Sequence, residues 1–167
     1  MFGDYVYVFG TGEYRRSAIY VARKRLDALQ TPGAFEELGT IVTATGYGEL
    51  SVRYLPEVQR WLLLAEELLP GSNRIVAYIA AQATGPWSGP ITVHDMADPA
   101  FTGHYCCAVD DNCTGQQMFN CDRTGFYGSY LFPGASTDAN SFTVAYTLSS
   151  FSPYNVAVFQ TTFATGP

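Results

Sequence analysis

The sequence predicts an α+β protein: an N-terminal lobe with two helices on a small sheet, then an antiparallel, β-sandwich-like lobe. Apolar residues recur at helical spacing within residues 13–29 and 56–69, while the chain beyond residue 84 is rich in Gly, Ser, Thr, Tyr and Phe and punctuated by Pro. Charge is split in the same way. Residues 1–74 hold eight basic and nine acidic side chains, whereas residues 75–167 hold Arg123 against six aspartates. The division gives a 1–84 α/β lobe and an 85–167 β-rich lobe, joined as two lobes or as one continuous domain.

The elements follow in order. Tyr5, Tyr7 and Phe9 alternate with Val6 and Val8, so Asp4 to Phe9 reads as a strand apolar on both faces. Gly10-Thr11-Gly12 breaks it. A helix over 13–29 places Ile19, Ala22, Leu26 and Leu29 on one stripe, with Arg15, Arg16, Arg23 and Lys24 largely off it. Thr31-Pro32 reads as a cap followed by a first-turn proline. Ile41 to Thr45 and Glu49 to Tyr54 read as a hairpin around Gly46-Tyr47-Gly48. The second helix, Pro56 to Leu69, has Val58, Trp61, Leu62, Ala65, Leu68 and Leu69 on one face and Pro70-Gly71 as its stop. Ile75 to Ala81 reads as a strand. Ile91 to Val93 and His104 to Val109 are short β runs. Phe142, Val144, Tyr146 and Leu148 alternate with polar or small residues, and Tyr154, Val156 and Val158 continue the pattern after a turn, so the chain closes on a hairpin.

Composition excludes several classes. The 167 residues carry only 14% charged side chains but 15% aromatics, including 12 Tyr and 11 Phe, and a net charge of −6. Such apolar content excludes an acidic disordered tail. No uncharged apolar run is long enough for a membrane-spanning helix. The absence of a net positive field argues against direct nucleic-acid binding. No basic leader followed by an apolar core marks a signal peptide at Met1.

The candidate sites begin with Cys106, Cys107, Cys113 and Cys121, which lie within sixteen residues. Four cysteines permit three pairings, and bonding adjacent Cys106 to Cys107 is strained, so two remain. Disulfides, reduced buried thiols and a metal site are all open here, although no Cys-x-x-Cys knuckle of a structural zinc site occurs. Asn112-Cys113-Thr114 matches a glycosylation acceptor, and Asp110-Asp111-Asn112 reads as turn chemistry rather than a calcium loop. His94 and His104 lack the nucleophile elbow of a hydrolase and read as structural or surface residues. Gly10-Thr11-Gly12 lacks the third glycine of a dinucleotide turn. Tyr5, Tyr7, Arg15, Arg16, Trp87, Phe126, Tyr127 and Tyr130 are candidate interface residues, because aromatics and arginines with few charges around them mark contact surfaces.

These features lead to an expected function without cofactor or catalytic residues. The sequence reads as a non-enzymatic structural subunit of a large assembly, a bacteriophage or virus particle component such as a capsid decoration, neck or tail protein. Its partners would be copies of itself and neighbouring subunits, and its location the virion or another extracellular assembly. The alternatives are a carbohydrate- or surface-binding β module, and an enzyme or metal-binding protein using the Cys106–Cys121 cluster.

Overall fold

The computed structural model describes residues 3–70, 72–107, 117, 119–121, 124–151 and 154–165. The chain is nearly all β. Strands β1 (Tyr5–Thr11), β2 (Ser17–Arg25), β3 (Glu36–Leu55), β4 (Arg60–Leu69), β5 (Ser72–Ala80) and β6 (Trp87–Asp95) form one antiparallel sheet in sequence order. Helix α1 (Pro99–Tyr105) follows. A second sheet contains β7 (Phe126–Tyr127), β8 (Ser136–Asp138), β9 (Ser141–Phe151) and β10 (Tyr154–Ala164), with β9 at its centre.

The α+β expectation is therefore corrected: both expected helices are strands. In β2, Ile19 and Val21 alternate into the core and Tyr20 points out, a period of two that the chance spacing of Ile19, Ala22 and Leu26 obscures. In β4, Trp61 to Ala65 are all buried because the strand is covered on both faces. A strand buried on both sides loses its alternation and reads as a continuous apolar run. The expected hairpin around Gly46 is instead a bend within one 20-residue strand, β3. Residues 36–42 of that strand pair with β2 and residues 50–55 with β4, while Tyr47 is paired to both Ser17 and Glu67. Gly46 has φ 101°, and a Cβ there would lie 2.7 Å from the Leu68 carbonyl oxygen, so the bend requires glycine. Of the other runs, His104 and Tyr105 belong to α1, and residues 108–109 lie outside the described residues.

The bend at Gly46 folds the first sheet onto itself. In a flat sheet β1 and β6 would be roughly 24 Å apart. The rings of Phe9 on β1 and Trp87 on β6 instead lie 6.3 Å apart, and Phe9 and Tyr7 pack on Trp61 of β4 at 5.8 and 5.7 Å. The result is three layers. Leu63, Ala65, Val76 and Tyr78 face the folded-over leaf with Ile19, Val42 and Tyr47. Leu62, Leu64, Ile75 and Ala77 face the second sheet, where they meet Phe126, Leu131, Phe142, Val144, Tyr146, Leu148 and Phe159. Helix α1 starts on Asp98, whose side chain accepts from the Ala100 amide at 2.8 Å, and lays Phe101 into the same core. Among the described residues, no helix is long and apolar enough to cross a membrane.

Candidate functional site

At one end of the stack, the tips of all three layers converge on a pair of carboxyl groups. Glu66 of β4 is 1% exposed on the face toward the second sheet. A Cβ on Gly48 would lie 2.1 Å from Glu66 Oε2, so β3 needs a glycine where its backbone passes the buried carboxyl. The next residue, Glu49, sits on top. From the β1–β2 turn, Arg15 reaches Glu66 Oε2 at 3.4 Å and Glu49 Oε2 at 4.0 Å, and Tyr14 donates its hydroxyl to Glu49 Oε1 at 2.6 Å. From β5, Asn73 Nδ2 donates to Glu66 Oε1 at 3.1 Å and to the Phe126 carbonyl of the second sheet at 3.3 Å. Arg15 holds its place with φ 60°, an uncommon backbone conformation for a residue with a side chain. The turn that imposes it is closed by the Arg16 amide and the Ser17 hydroxyl, both donating to the Glu13 carbonyl.

The two carboxyls titrate as a pair. Burial, followed by the hydrogen bond with Glu49, pushes Glu66 up to about 7, with Arg15 opposing. Burial also works against a charge on Glu49, but its hydrogen bonds with Glu66 and Tyr14 hold it below the ordinary carboxylate range. No nitrogen or hydroxyl hydrogen-bonds the buried Glu49 Oε2. One proton retained on Glu66 and donated to Glu49 accounts for both shifts and for that oxygen. Below about 7 the pair therefore carries one negative charge, with Arg15 beside it.

The adjacent Glu67 points to the opposite face and is closed off. Arg74 pairs with it, Tyr47 donates to it at 3.4 Å, and the Tyr47 and Tyr78 hydroxyls meet at 2.5 Å. Burial raises both tyrosines, so they stay protonated and pin β3, β4 and β5 together. His94 is likewise internal. Its Nε2 lies 2.6 Å from the Tyr146 hydroxyl, between the rings of Phe101 and Phe159, and burial pushes it down to about 4. It is a neutral core histidine.

Of the residues singled out from sequence, Arg15 alone reaches the carboxyl pair. Arg16 is exposed and paired with Glu13 at 3.1 Å. Tyr5 lies under the Arg23 guanidinium, Tyr7 packs on Trp61, and half-buried Trp87 donates to the Ala83 carbonyl at 3.3 Å. Phe126 is core and Tyr127 is half-buried, while Tyr130 is half exposed. Cys106 and Cys121 form a disulfide across 15 residues, and Cys107 is likewise disulfide-bonded. Cys113, the Asn112 acceptor pattern and Asp110-Asp111 lie outside the described residues. The thiol and metal readings of Cys106, Cys107 and Cys121 are thus replaced by disulfides. Among the described residues, no group of three or more His, Cys, Asp and Glu is placed to hold a metal ion. Sequence reasoning missed Glu49, Glu66 and Asn73. The signal present was a pair of glutamates, Glu66 and Glu67, inside an apolar run that the sequence analysis read as a helix.

A layered all-β domain with a carboxyl pair, one member fully buried, at its convergent end is the class that fold and site define. The chain belongs to the family described as a domain of unknown function, DUF4185, which matches residues 2–160. No curated protein is significantly similar to it in sequence. Among solved structures, it resembles an α-L-arabinofuranosidase from Podospora anserina, solved in complex with cellotriose. The TM-score is 0.54 at 12% identity, over 99% of this chain and 53% of that one. It also resembles a thermostable family-43 glycoside hydrolase, with a TM-score of 0.44 at 14% identity, over 98% of this chain and 54% of that one. The chain thus spans about half the length of each. The likeness is one of fold, and it overturns the expectation of a non-enzymatic virus-particle subunit: the architecture is shared with an α-L-arabinofuranosidase.

Proposed function

We propose that the chain is a carbohydrate-active domain, with Tyr14, Arg15 and Glu49 meeting the sugar and Glu66 setting their charge and position. The observation that carries this reading is the convergence of Tyr14, Arg15 and Glu49 on the buried Glu66 where three β layers meet. Tyr14 is 56% exposed and offers a ring face for stacking on a pyranose or furanose. Arg15 and Glu49, both partly exposed and 4.0 Å apart, supply charged donor and acceptor groups for sugar hydroxyls. Glu66 lies beneath them as the proton-bearing partner, and a carboxyl near 7 is poised for transfer at neutral pH. Carboxyls that flank a glycosidic bond stand about 5–9 Å apart, whereas a hydrogen-bonded pair sits closer. The pair therefore acts as one acid–base unit on one side of the sugar. The shared fold with an arabinofuranosidase solved with cellotriose directs the choice of ligands.

The test is calorimetric titration with a panel of cello-, xylo- and arabino-oligosaccharides, with release of reducing ends measured in parallel. The folded protein is expected to bind at least one member, and Arg15→Ala and Glu49→Gln to weaken that binding at least tenfold while far-UV dichroism is unchanged. If no member binds, or the variants bind as the parent does, the proposal fails.

A further inference from the structure

The outer face of the second sheet concentrates the exposed apolar surface of the protein. On β9 and β10, Phe142, Val144, Tyr146, Leu148, Phe159 and Phe163 point into the core, so their neighbours point outward. The cross-strand register sets Phe151 opposite Tyr154, Ser149 opposite Val156 and Thr147 opposite Val158 on that outward side. The bridge between Leu131 and Tyr146 adds a further run, placing Tyr130 and Phe132 on the same face while Leu131 goes inward. Tyr130, Phe132, Phe151, Tyr154, Val156 and Val158 are 50, 41, 47, 80, 70 and 65% exposed.

Two properties of this face identify what covers it. The first is charge. Neither β9 nor β10 contains an acidic or basic residue, nor does the stretch 126–135, in a chain of net charge −6. A charged partner gains nothing there, while a second copy meets no like charge. Strand β10 is also the edge of its sheet, without the lysines, prolines or inward charges that normally blunt an edge. The second property is area. With aromatics offering about 150–250 Å² each when fully exposed, the six side chains present roughly 600 Å². That is at the upper end for the largest patch of a monomer. Two such faces together bury about 1,200 Å², which reaches the range of stable protein–protein interfaces.

We infer that the chain forms a two-fold homodimer in which the outer faces of the two second sheets pack on each other, repeating between copies the layer-on-layer stacking within each one. The face is self-complementary, as an isologous contact requires.

Sedimentation equilibrium and light scattering over a concentration series decide the matter, with Val156→Lys/Val158→Lys as the variant. Both side chains are largely exposed and can be changed without opening the core, which dichroism and thermal melting verify. The parent is expected at twice 18.3 kDa, and the variant at 18.3 kDa with about hundredfold weaker association and unchanged melting of the isolated subunit. A parent that stays at 18.3 kDa up to millimolar concentration overturns the inference, and so does a double-lysine variant that still dimerises.

Discussion

Replacing Glu66 by Gln removes the shared proton while keeping the shape of the side chain, so its effect depends on pH in a way that a simple packing change does not. The folded protein holds the Glu66 proton up to about 7, whereas an unfolded glutamate releases it near 4.5. Between those values the unfolded chain has lost a proton that the folded chain keeps, so raising the pH favours unfolding. The stabilisation is fully present below about 4.5 and gone above about 7. At about 1.4 kcal/mol per pH unit it amounts to at most about 3 kcal/mol. Glu49, held below its ordinary range, contributes with the opposite sign, but only below about 4.5, outside this window. The substituted amide does not ionise. Its hydrogen bonds with Asn73 and Glu49 persist, and the stability of Glu66→Gln relative to the parent should rise by about 2–3 kcal/mol from pH 5 to pH 8. Urea unfolding followed by Trp fluorescence at half-unit pH steps measures this. The falling stability of buried His94 in acid is common to both proteins and cancels in the difference. A difference that stays constant across the range would refute the proton-sharing pair.

Other perturbations follow from the same geometry. His94→Gln keeps a hydrogen-bonding partner for Tyr146 but cannot charge. Because burial depresses His94 to about 4, the parent loses up to about 3 kcal/mol as the pH falls from about 6.5 to about 4, and the variant should not; acid unfolding compares the two. Gly48→Ala drives a methyl into the Glu66 carboxylate and should cost about 1–3 kcal/mol, read as a lowered melting temperature; an unchanged melt would mean that β3 does not pass Glu66 so closely. Replacing Cys106 and Cys121 together by Ser opens a loop of 15 residues and should cost about 3 kcal/mol in denaturant unfolding under oxidising conditions, with no difference from the parent once both are reduced.

What the sequence revealed depended on how many faces of each strand are covered. The β9–β10 hairpin was readable because one face meets the core and the other faces outward, leaving Phe142, Val144, Tyr146 and Leu148 in clean alternation. The β4 strand was not, because Leu62 and Leu64 face one layer and Leu63 and Ala65 another, which erases the period and leaves a run that also suits a helix. The bend in β3 announces itself through Gly46 but reads in sequence as a turn between two strands, since only the pairing of Tyr47 with both β2 and β4 distinguishes them. The disulfides stood among the open alternatives, with Cys106–Cys121 in one of the two unstrained pairings. The carboxyl pair was invisible. Glu49 and Glu66 lie 17 residues apart, and they meet only through the register that sets Leu50 opposite Ala65, with Arg15 brought over them by the fold of the sheet. The scarcity of charge was legible throughout, and it marks the outer face of the second sheet.

The most direct measurement is a carbon-detected NMR titration of the Glu49 and Glu66 side-chain carboxyls, in the free protein and with a bound oligosaccharide. The expected result is one proton released near neutrality, sensed by both carbons and displaced when sugar binds. Two carboxyls that titrate independently in the ordinary acidic range, indifferent to sugar, would contradict the site.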